Sequence, residues 1–402
     1  MTKRYIAIIY ILLSSIIIVF SQSLPTVGYN QISKNCINDR IGIYFAKSNR
    51  LPWTINEFEP YVVHQFQDNH KAWFFQCFSF LDLDINGKSL ICRKDINTAA
   101  SKDDWFDFLK LPFTKNKYFD ALDRCIETNI KLLGPPPFRH KVVMALPMPY
   151  NANYNWGRIG SIKMNFTKDG DRIKALKWYI DTFIDEYNRH SYKNFDLEGF
   201  YWLDEDMENN SSITNIITNY VRSKGLTTSW SPYLRAKGVL KWSVQGFDYA
   251  YIQAGGYTIK EKFEITRVDE AFTKAKNKMM GVVLEFDGNL YYKPNVFIQR
   301  LENTIKKFED NGVFSDAQMS YYDGGGMIYY INNGSKFKSY SLSNFQYYRI
   351  RELMDRIAQH IVNRYTKIYS DKQTSNPYSL QNNNQHDNTS NDDWRNPDYW
   401  HF

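Results

Sequence analysis

The sequence predicts an α/β fold of the (β/α)₈ TIM-barrel type, and two features of the chain support this. Eight short apolar segments of strand length recur along it, and most are separated by a stretch with helical periodicity. Alternation of buried strands with helices is typical of a parallel sheet, and eight such units close into a barrel. We therefore expect a single barrel domain over residues 24–369.

The predicted elements follow from apolar spacing and from the glycines and prolines that end each run. Predicted strands are Ile41–Ala46, Trp73–Leu81, Lys141–Leu146, the strand that runs into Gly199–Asp206, Thr227–Ser231, Phe247–Gln253, the strand that begins at Gly281, and Ala317–Tyr322. Predicted helices are Tyr118–Leu133, Asp171–His190, Ser212–Lys224, Val268–Lys278, Pro294–Asn311 and Leu342–Tyr369.

The two ends of the chain differ from the barrel in composition. Lys3 and Arg4 precede an apolar run and then small residues, which predicts a secretory signal peptide over residues 1–23 and an exported protein. An uncleaved anchor is the alternative, because the run approaches the ~20 residues of a membrane span. Residues 370–402 are polar with few aliphatic side chains, which predicts a disordered tail.

Acidic residues follow the fourth and seventh predicted strands. The stretch Gly199–Asp206 reads GFYWLDED, and Gly281–Asn289 reads GVVLEFDGN. Unpaired carboxylates are costly to bury, so these acids are expected where each strand leaves the core. In a TIM barrel the carboxyl ends of all strands open onto one face, where active sites lie. The sequence therefore predicts carboxylate chemistry at that face.

This placement resembles the retaining glycosidases built on TIM barrels. The resemblance implies that Glu205 is the acid/base after strand four and that Glu285 is the nucleophile after strand seven. Retention needs the two carboxyl groups ~5–5.5 Å apart, whereas inversion needs ~6.5–9.5 Å. The expected substrate is a polysaccharide or oligosaccharide outside the cell or in the cell wall.

Side-chain alternation leaves the acid on strand four open. Alternation places Glu285 and Asp287 inside the barrel on strand seven, and the same parity places Asp204 and Asp206 inside on strand four. Glu205 is then out of phase unless the strand bulges or ends early. We favour Glu205, because its longer side chain reaches further, and we keep Asp204 as the alternative catalytic acid.

Longer motifs are similar to the secreted family catalogued as domain of unknown function 4855, over most of residues 40–365. That resemblance implies a glycosidase-like barrel. After Gln253 the family pattern has Pro-Asn-Tyr, whereas this chain continues Ala254-Gly255-Gly256-Tyr257. This difference favours an alternative function, a carbohydrate-binding barrel without catalysis. The motifs are GFYWLDED, WSPYLRAKGVLKWSVQGFDYAYIQ (Trp230–Gln253), LEFDGNL (Leu284–Leu290) and SYYDGGG (Ser320–Gly326).

Aromatic and polar residues near the predicted strand ends are candidates for sugar contacts. Flat rings there can stack on sugars, although core packing is an equal alternative for each ring. The candidate substrate-binding residues are Trp202, Trp230, Tyr233, Gln253, Tyr257, Asp287 and Tyr321.

Other classes of function find little support in the sequence. The net charge of +7 arises from 50 basic and 43 acidic residues spread along the chain, without the basic cluster of a nucleic-acid site. The seven histidines form no spaced ligand set, and no cofactor motif is present. Asp204 and Asp206 alone make a weak metal or nucleotide-sugar site. We expect Gly324–Gly326 to form a tight turn.

Four cysteines in an exported chain predict one or two disulfides. Three pairings are open, and Cys77 with Cys92 is preferred, since the turn-forming pair Asn86-Gly87 lies between them. Cys36 and Cys125 are the other two. Glycosylation sequons begin at Asn165, Asn209, Asn210, Asn333 and Asn388.

Overall fold

The structure is a computed structural model that describes residues 28–91, 96–254, 257, 265–334 and 342–370. The predicted signal peptide and the predicted tail beyond Ser370 lie outside these residues. In the described part of the chain, no helix has the length and apolar character that a membrane crossing requires.

Eight parallel strands form a closed barrel in which each strand pairs with the next along the chain and the last pairs with the first. The predicted fold class is therefore confirmed. The strands are β1 (Asp39–Tyr44), β2 (Cys77–Leu81), β3 (His140–Leu146), β4 (Phe195–Trp202), β5 (Thr227–Trp230), β6 (Tyr249–Gln253), β7 (Gly281–Glu285) and β8 (Met319–Tyr322).

Helices surround the barrel, and the six predicted ones are present with ends shifted by a few residues. The helices are α1 (Ile55–Val62), α2 (Lys102–Lys110), α3 (Tyr118–Leu133), α4 (Asp169–Asn188), α5 (Ser211–Ser223), α6 (Ile265–Asn277), α7 (Asn289–Tyr292), α8 (Pro294–Asp310), α9 (Val313–Asp316), α10 (Met327–Asn333) and α11 (Asn344–Tyr369). Short 3₁₀ helices cover Ile96–Thr98, Leu111–Phe113 and Val239–Lys241.

The second predicted strand, Trp73–Leu81, was too long. Lys71–Trp73 pairs with Val63–Gln65 in an antiparallel hairpin, and only Cys77–Leu81 belongs to the barrel. Every residue from Trp73 to Leu81 is buried, so the apolar run gives no sign of the break within it. Two further hairpins, Asp84–Ile85 with Lys88–Ser89 and Gly157–Ile159 with Ile162–Met164, lie outside the barrel sheet.

A β-bulge in β4 shapes the strand that leads to the acids. The pairing between β4 and β3 shifts register between Leu197 and Gly199. A β-carbon at Gly199 would lie 1.9 Å from the Thr227 carbonyl oxygen of β5, so only glycine fits there. The bulge thus lies upstream of the predicted active-site stretch.

The described cysteines are free thiols. Cys36, Cys77 and Cys125 form no disulfide, and Cys92 lies outside the described residues. The preferred Cys77–Cys92 pairing was therefore wrong for this structure. Cys77 begins β2 inside the barrel wall, fully buried, and burial raises the pKa of its thiol well above the usual range. Such a thiol is unreactive.

One of the predicted glycosylation sites is not accessible. Asn210 is fully buried, and its side chain binds Arg172 and Asp204. Asn333 is exposed, and Asn388 lies outside the described residues.

Candidate active site

A cavity of about 270 Å³ opens where the carboxyl ends of the strands meet. This size is near the lower end of the volumes of small-molecule sites. Residues from seven of the eight strands or from the segments that follow them contribute to it. They are Arg40, Gly42, Tyr44, Ser79, Leu81, Leu83, Tyr201, Glu205, Ser231, Gln253, Val283, Glu285, Ser320, Tyr321 and Tyr322.

Glu205 lies in this cavity three residues after Trp202, the last residue of β4. Tyr201 of β4 also lines the cavity, whereas Trp202 packs against Phe247, so the phase that the sequence predicted for this strand was wrong and Glu205 is in phase with Tyr201. Gln253, at the end of β6, donates a hydrogen bond of 2.9 Å from Nε2 to Glu205 Oε1.

The environment of Glu205 favours its protonated form. Its side chain is exposed to solvent at the opening, and the surrounding protein desolvates the carboxyl group in part. This desolvation raises the pKa of Glu205 above its ordinary value, and the hydrogen bond from Gln253 lowers it by a smaller amount. A carboxylic acid that stays protonated to higher pH can act as a proton donor.

Glu285 is the last residue of β7 and lines the same cavity, half-buried. In the barrel wall it pairs in register with Tyr322 of β8. Burial raises the pKa of Tyr322 to about 12, and the charges of Asp287, Asp323 and Glu285 contribute to that increase. The Tyr322 hydroxyl therefore stays protonated at neutral pH and remains a hydrogen-bond donor.

Tyr44 and Tyr322 connect the surroundings of the two glutamates. Their rings meet edge to face, with centroids 5.5 Å apart. The pKa of Tyr44 is raised well above its usual value, first by burial and then by the nearby Tyr322, Tyr201 and Glu205. Both tyrosines line the cavity.

Asp204 and Asp206, the other acids of the stretch, do not line the cavity. Asp204 accepts a hydrogen bond of 3.1 Å from Asn210 Nδ2. Asp206 accepts hydrogen bonds from the Tyr233 hydroxyl at 2.6 Å and from the Lys237 backbone at 2.8 Å. Their carboxylates thus hold the loop after β4, and Glu205 is the acid of this stretch that faces the cavity.

Of the predicted sugar-binding residues, Gln253 lies in the cavity and Tyr321 borders it. The Tyr321 hydroxyl, however, donates to Asp39 at 2.9 Å on the outer side of the barrel wall. Asp287 does not line the cavity, although parity placed it inside. Its carboxylate accepts the Asn289 backbone N–H at 2.9 Å and begins α7.

The remaining predicted aromatic residues do not reach the cavity. Trp230 stacks on Phe247 with centroids 5.4 Å apart, and Trp202 meets the same ring edge to face. Tyr257 is buried against Phe297. Tyr233 is exposed outside the cavity and binds Asp206. Trp202, Trp230 and Tyr257 therefore pack in the core, which was the alternative given for each ring.

Several cavity residues were not among the predicted site residues, above all Arg40 and Tyr44 on β1. The sequence Arg40–Tyr44 alternates polar or small residues with isoleucine, and this period of two marks its inward side. This alternation is sufficient to identify Arg40 and Tyr44 as inward residues from the sequence. Ser231 and Ser320 carry no comparable signal, because single serines are common at strand ends.

The turn after β8 follows the prediction. Gly324, Gly325 and Gly326 all have positive φ. The Asp323 carboxylate accepts hydrogen bonds from the backbone N–H groups of Gly325 and Gly326 at 3.0 and 3.1 Å. It also accepts the Tyr61 hydroxyl at 2.5 Å, so Asp323 has a structural role.

Comparison with solved structures finds distant likenesses, of which three follow. The GH18 chitinase ChiB of Flavobacterium johnsoniae is 11% identical over 83% of this chain and 95% of its own, with a TM-score of 0.40. The endo-1,4-beta-xylanase of Caldicellulosiruptor owensensis is 13% identical over 75% and 88%, with a TM-score of 0.36. The tryptophan synthase complex of Pyrococcus furiosus is 10% identical over 85% and 99%, with a TM-score of 0.37.

These likenesses carry no argument about activity, and the closed strand pairing of the chain itself establishes the barrel. A comparison with curated proteins finds no match. A family model, in contrast, matches residues 39–348, which include all eight strands of the barrel and both cavity glutamates. The chain therefore belongs to the family described as domain of unknown function (DUF4855).

Proposed function

We propose that this protein is an exported glycoside hydrolase that cleaves an extracellular or cell-wall polysaccharide with retention of configuration. The observation that carries the proposal is the presence of Glu205 and Glu285 in one cavity at the carboxyl ends of the strands. Two carboxyl groups that flank one sugar bond are the machinery of most glycoside hydrolases.

In the first step, Glu205 protonates the glycosidic oxygen while Glu285 attacks the anomeric carbon. The bond to the leaving sugar breaks, and a covalent glycosyl–enzyme ester forms at Glu285. The raised pKa of Glu205 suits it to this role, because the group must carry its proton when substrate binds. Gln253 holds the Glu205 carboxyl in place through its hydrogen bond.

In the second step, Glu205 accepts a proton from water, and the resulting hydroxide displaces Glu285 from the sugar. Glu205 has then regained its proton, and the product keeps its original configuration. The edges of the cavity offer Tyr44 and Tyr322 as stacking surfaces for the ring.

Replacement of each glutamate by glutamine tests the proposal. Glu285→Gln should abolish the release of new reducing ends from a polysaccharide panel. Glu205→Gln should lower the rate about 10²–10⁴-fold on polysaccharides. On aryl glycosides, whose leaving group needs no proton, Glu205→Gln should lower the rate of the first step much less. Glu208→Gln is the matched control, because Glu208 lies on the same loop, is exposed and pairs with Lys237.

Asp204→Asn decides between the two candidate acids. If Asp204 were the proton donor, this variant and not Glu205→Gln would show the dependence on leaving group. Proton NMR of the first product distinguishes retention from inversion by its anomeric configuration.

The second candidate function is a carbohydrate-binding barrel without catalysis. The sequence after Gln253 favours it, because Ala254 stands where the family pattern has proline. Binding of a polysaccharide without new reducing ends, by a protein whose fold is intact, would support this function over hydrolysis.

A further inference from the structure

Arg40 is a buried cation that no described carboxylate neutralises. The side chain is 2% exposed, and none of the acidic residues in the described part of the chain forms an ion pair with it. Its guanidinium donates hydrogen bonds to hydroxyl groups of three serines, Ser229 at 2.6 Å, Ser231 at 3.0 Å and Ser320 at 3.4 Å. Neutral hydroxyls leave the positive charge itself unbalanced.

Two aromatic rings hold Arg40 in position. Its Cζ lies 4.4 Å from the centroid of the Tyr251 ring and 5.1 Å from that of Tyr201. Such cation–π contacts stabilise a guanidinium moderately but do not replace an anion. They fix the group as part of a preformed site.

The cavity reaches Arg40 because β1 has a glycine in the inward position above it. Arg40, Gly42 and Tyr44 alternate along one side of the strand, and all three line the cavity. A β-carbon at Gly42 would already lie 3.4 Å from Leu81 Cδ2, so a larger side chain would fill the space. The absence of a side chain at Gly42 leaves space in the cavity above Arg40.

The base of the cavity, formed by Arg40, Ser79, Ser231 and Ser320, consists of hydrogen-bond donors around one positive charge. Ser79 adds a further observation, because its buried Oγ has no hydrogen-bond partner within the described residues. An oxyanion bound there would accept from the Ser79 hydroxyl and would neutralise Arg40. Arginine suits carboxylate and sulfate groups, to which it can donate two parallel hydrogen bonds.

We propose that the base of the cavity binds the anionic group of an acidic sugar, so that the substrates are acidic polysaccharides. This inference rests on the proposed function for the cleavage step, and binding itself does not depend on it. The anionic group is a carboxylate, as in a uronic acid, or a sulfate ester.

The position of the base relative to Glu285 fits one sugar ring. Arg40 and Val283 both pair in register with Ser320, and Glu285 lies two residues beyond Val283. Two residues of strand span about 7 Å. A ring whose anionic group contacts Arg40 thus extends towards Glu285 with its anomeric carbon. The net charge of +7 also favours the approach of an acidic polymer.

Matched pairs of polysaccharide fragments test the proposal by calorimetry on the full chain. Oligosaccharides of uronic acids are compared with the same oligosaccharides after reduction of the carboxyl groups, and sulfated ones with their desulfated forms. Each pair shares its sugars and linkages and differs only in charge. We expect at least one acidic member to bind about tenfold or more tightly than its neutral form. The pair that shows this preference identifies the anionic group.

Arg40→Gln should remove the preference and leave acidic and neutral members with similar, weak affinity. If that variant fails to fold, Gly42→Val gives an independent test, because it fills the space above an intact Arg40 and should also abolish binding of the acidic member. Lys47→Gln is the control, since Lys47 pairs with Asp84 outside this cavity.

Equal affinity for both members of every pair would overturn the proposal, and so would a preference that survives Arg40→Gln. Reducing-end assays on the same pairs keep the two proposals apart. Cleavage of neutral and acidic polymers at equal rates would leave the glycosidase and overturn the acidic-sugar site. Tight binding of an acidic member with no cleavage of any polymer would leave the acidic-sugar site and overturn the glycosidase.

Discussion

At the scale of single residues, the proposed mechanism depends on the protonation of Glu205. Burial raises its pKa, and Gln253 opposes that shift by donating to the carboxylate. A general acid works only while protonated, so kcat/KM should fall as the pH rises through the pKa of Glu205 in the free protein. In the proposed mechanism, desolvation of Glu205 and its hydrogen bond from Gln253, which shift its pKa in opposite directions, therefore set the upper pH limit of activity.

Gln253→Leu should move this upper limit to higher pH. The variant removes a hydrogen bond that favours the ionised form and adds apolar surface, and both changes raise the pKa of Glu205. The measurement is the pH profile of kcat/KM on a cleaved substrate. Gln299→Leu, on the exposed face of α8, should leave the profile unchanged. A limit that stays in place or moves to lower pH would contradict the role of Glu205.

At the scale of elements, the phase of β4 determines which side chains of the acidic stretch face the cavity. The parity predicted from sequence placed Asp204 and Asp206 inside the barrel, whereas Tyr201 and Glu205 are the residues that line the cavity. Gly199 permits the bulge because it has no side chain to meet the Thr227 carbonyl. The close contact between the backbones of β4 and β5 thus lies at the start of the stretch that leads to the acids.

Gly199→Ala should destabilise the protein by about 3 kcal/mol or more, because β4 and β5 must separate to relieve the clash. Urea unfolding measures the effect. Gly170→Ala, in the first turn of α4, is the matched control, since a β-carbon there meets nothing within 4 Å. It should change stability by no more than about 1 kcal/mol, in the stabilising direction. Similar stabilities for the two variants would contradict the account of the bulge.

At the scale of the whole molecule, α11 is tied to β1 by a buried ion pair. Arg364 and Asp39 approach to 3.4 Å, and both are almost fully buried. Arg364 also donates to the Ala317 carbonyl at 2.8 Å, and Asp39 accepts the Tyr321 hydroxyl. Desolvation raises the pKa of Asp39, and Arg364 counteracts this. The pair thus joins the last helix to the strands that close the barrel.

Arg364→Met should cost about 3–5 kcal/mol at pH 7, because it leaves Asp39 buried without its cation. Loss of Arg364 raises the pKa of Asp39 further, so the folded variant prefers the protonated acid. The cost should therefore be smaller near pH 4 than at pH 7, which urea unfolding at both values can measure. Lys367→Met, exposed on the same helix, should stay within about 0.5 kcal/mol. A cost independent of pH would contradict this account.

The barrel and the two acidic strand ends could be predicted from sequence because both depend on local patterns. Apolar periodicity marks each strand and helix, and acids after an apolar run mark a strand end. The role of Arg40 could not be predicted in the same way. The inference about Arg40 depends on its neighbours, which include Ser231 and Ser320 but, among the described residues, no anion. These serines lie 191 and 280 residues away along the chain, and the closed barrel brings them to Arg40.

The aromatic residues near strand ends could not be assigned to the cavity from sequence. Trp202, Trp230 and Tyr257 lie near strand ends, as sugar-binding rings would, yet their rings pack against phenylalanines in the core. Sequence distance from a strand end does not tell which side of the barrel wall a ring occupies. Tyr44 and Tyr322, which do line the cavity, are distinguished by register and not by composition.

The central claim is that Glu285 forms a bond with the sugar, and intact-protein mass spectrometry tests it most directly. The protein is incubated with the oligosaccharide it cleaves, in the form of a 2-deoxy-2-fluoro glycosyl fluoride that slows the second step. We predict a mass increase of one glycosyl group, located on Glu285 by peptide mapping and missing from Glu285→Gln. A substrate cleaved with no adduct at Glu285, or cleaved as well by Glu285→Gln as by the unaltered protein, would contradict the mechanism.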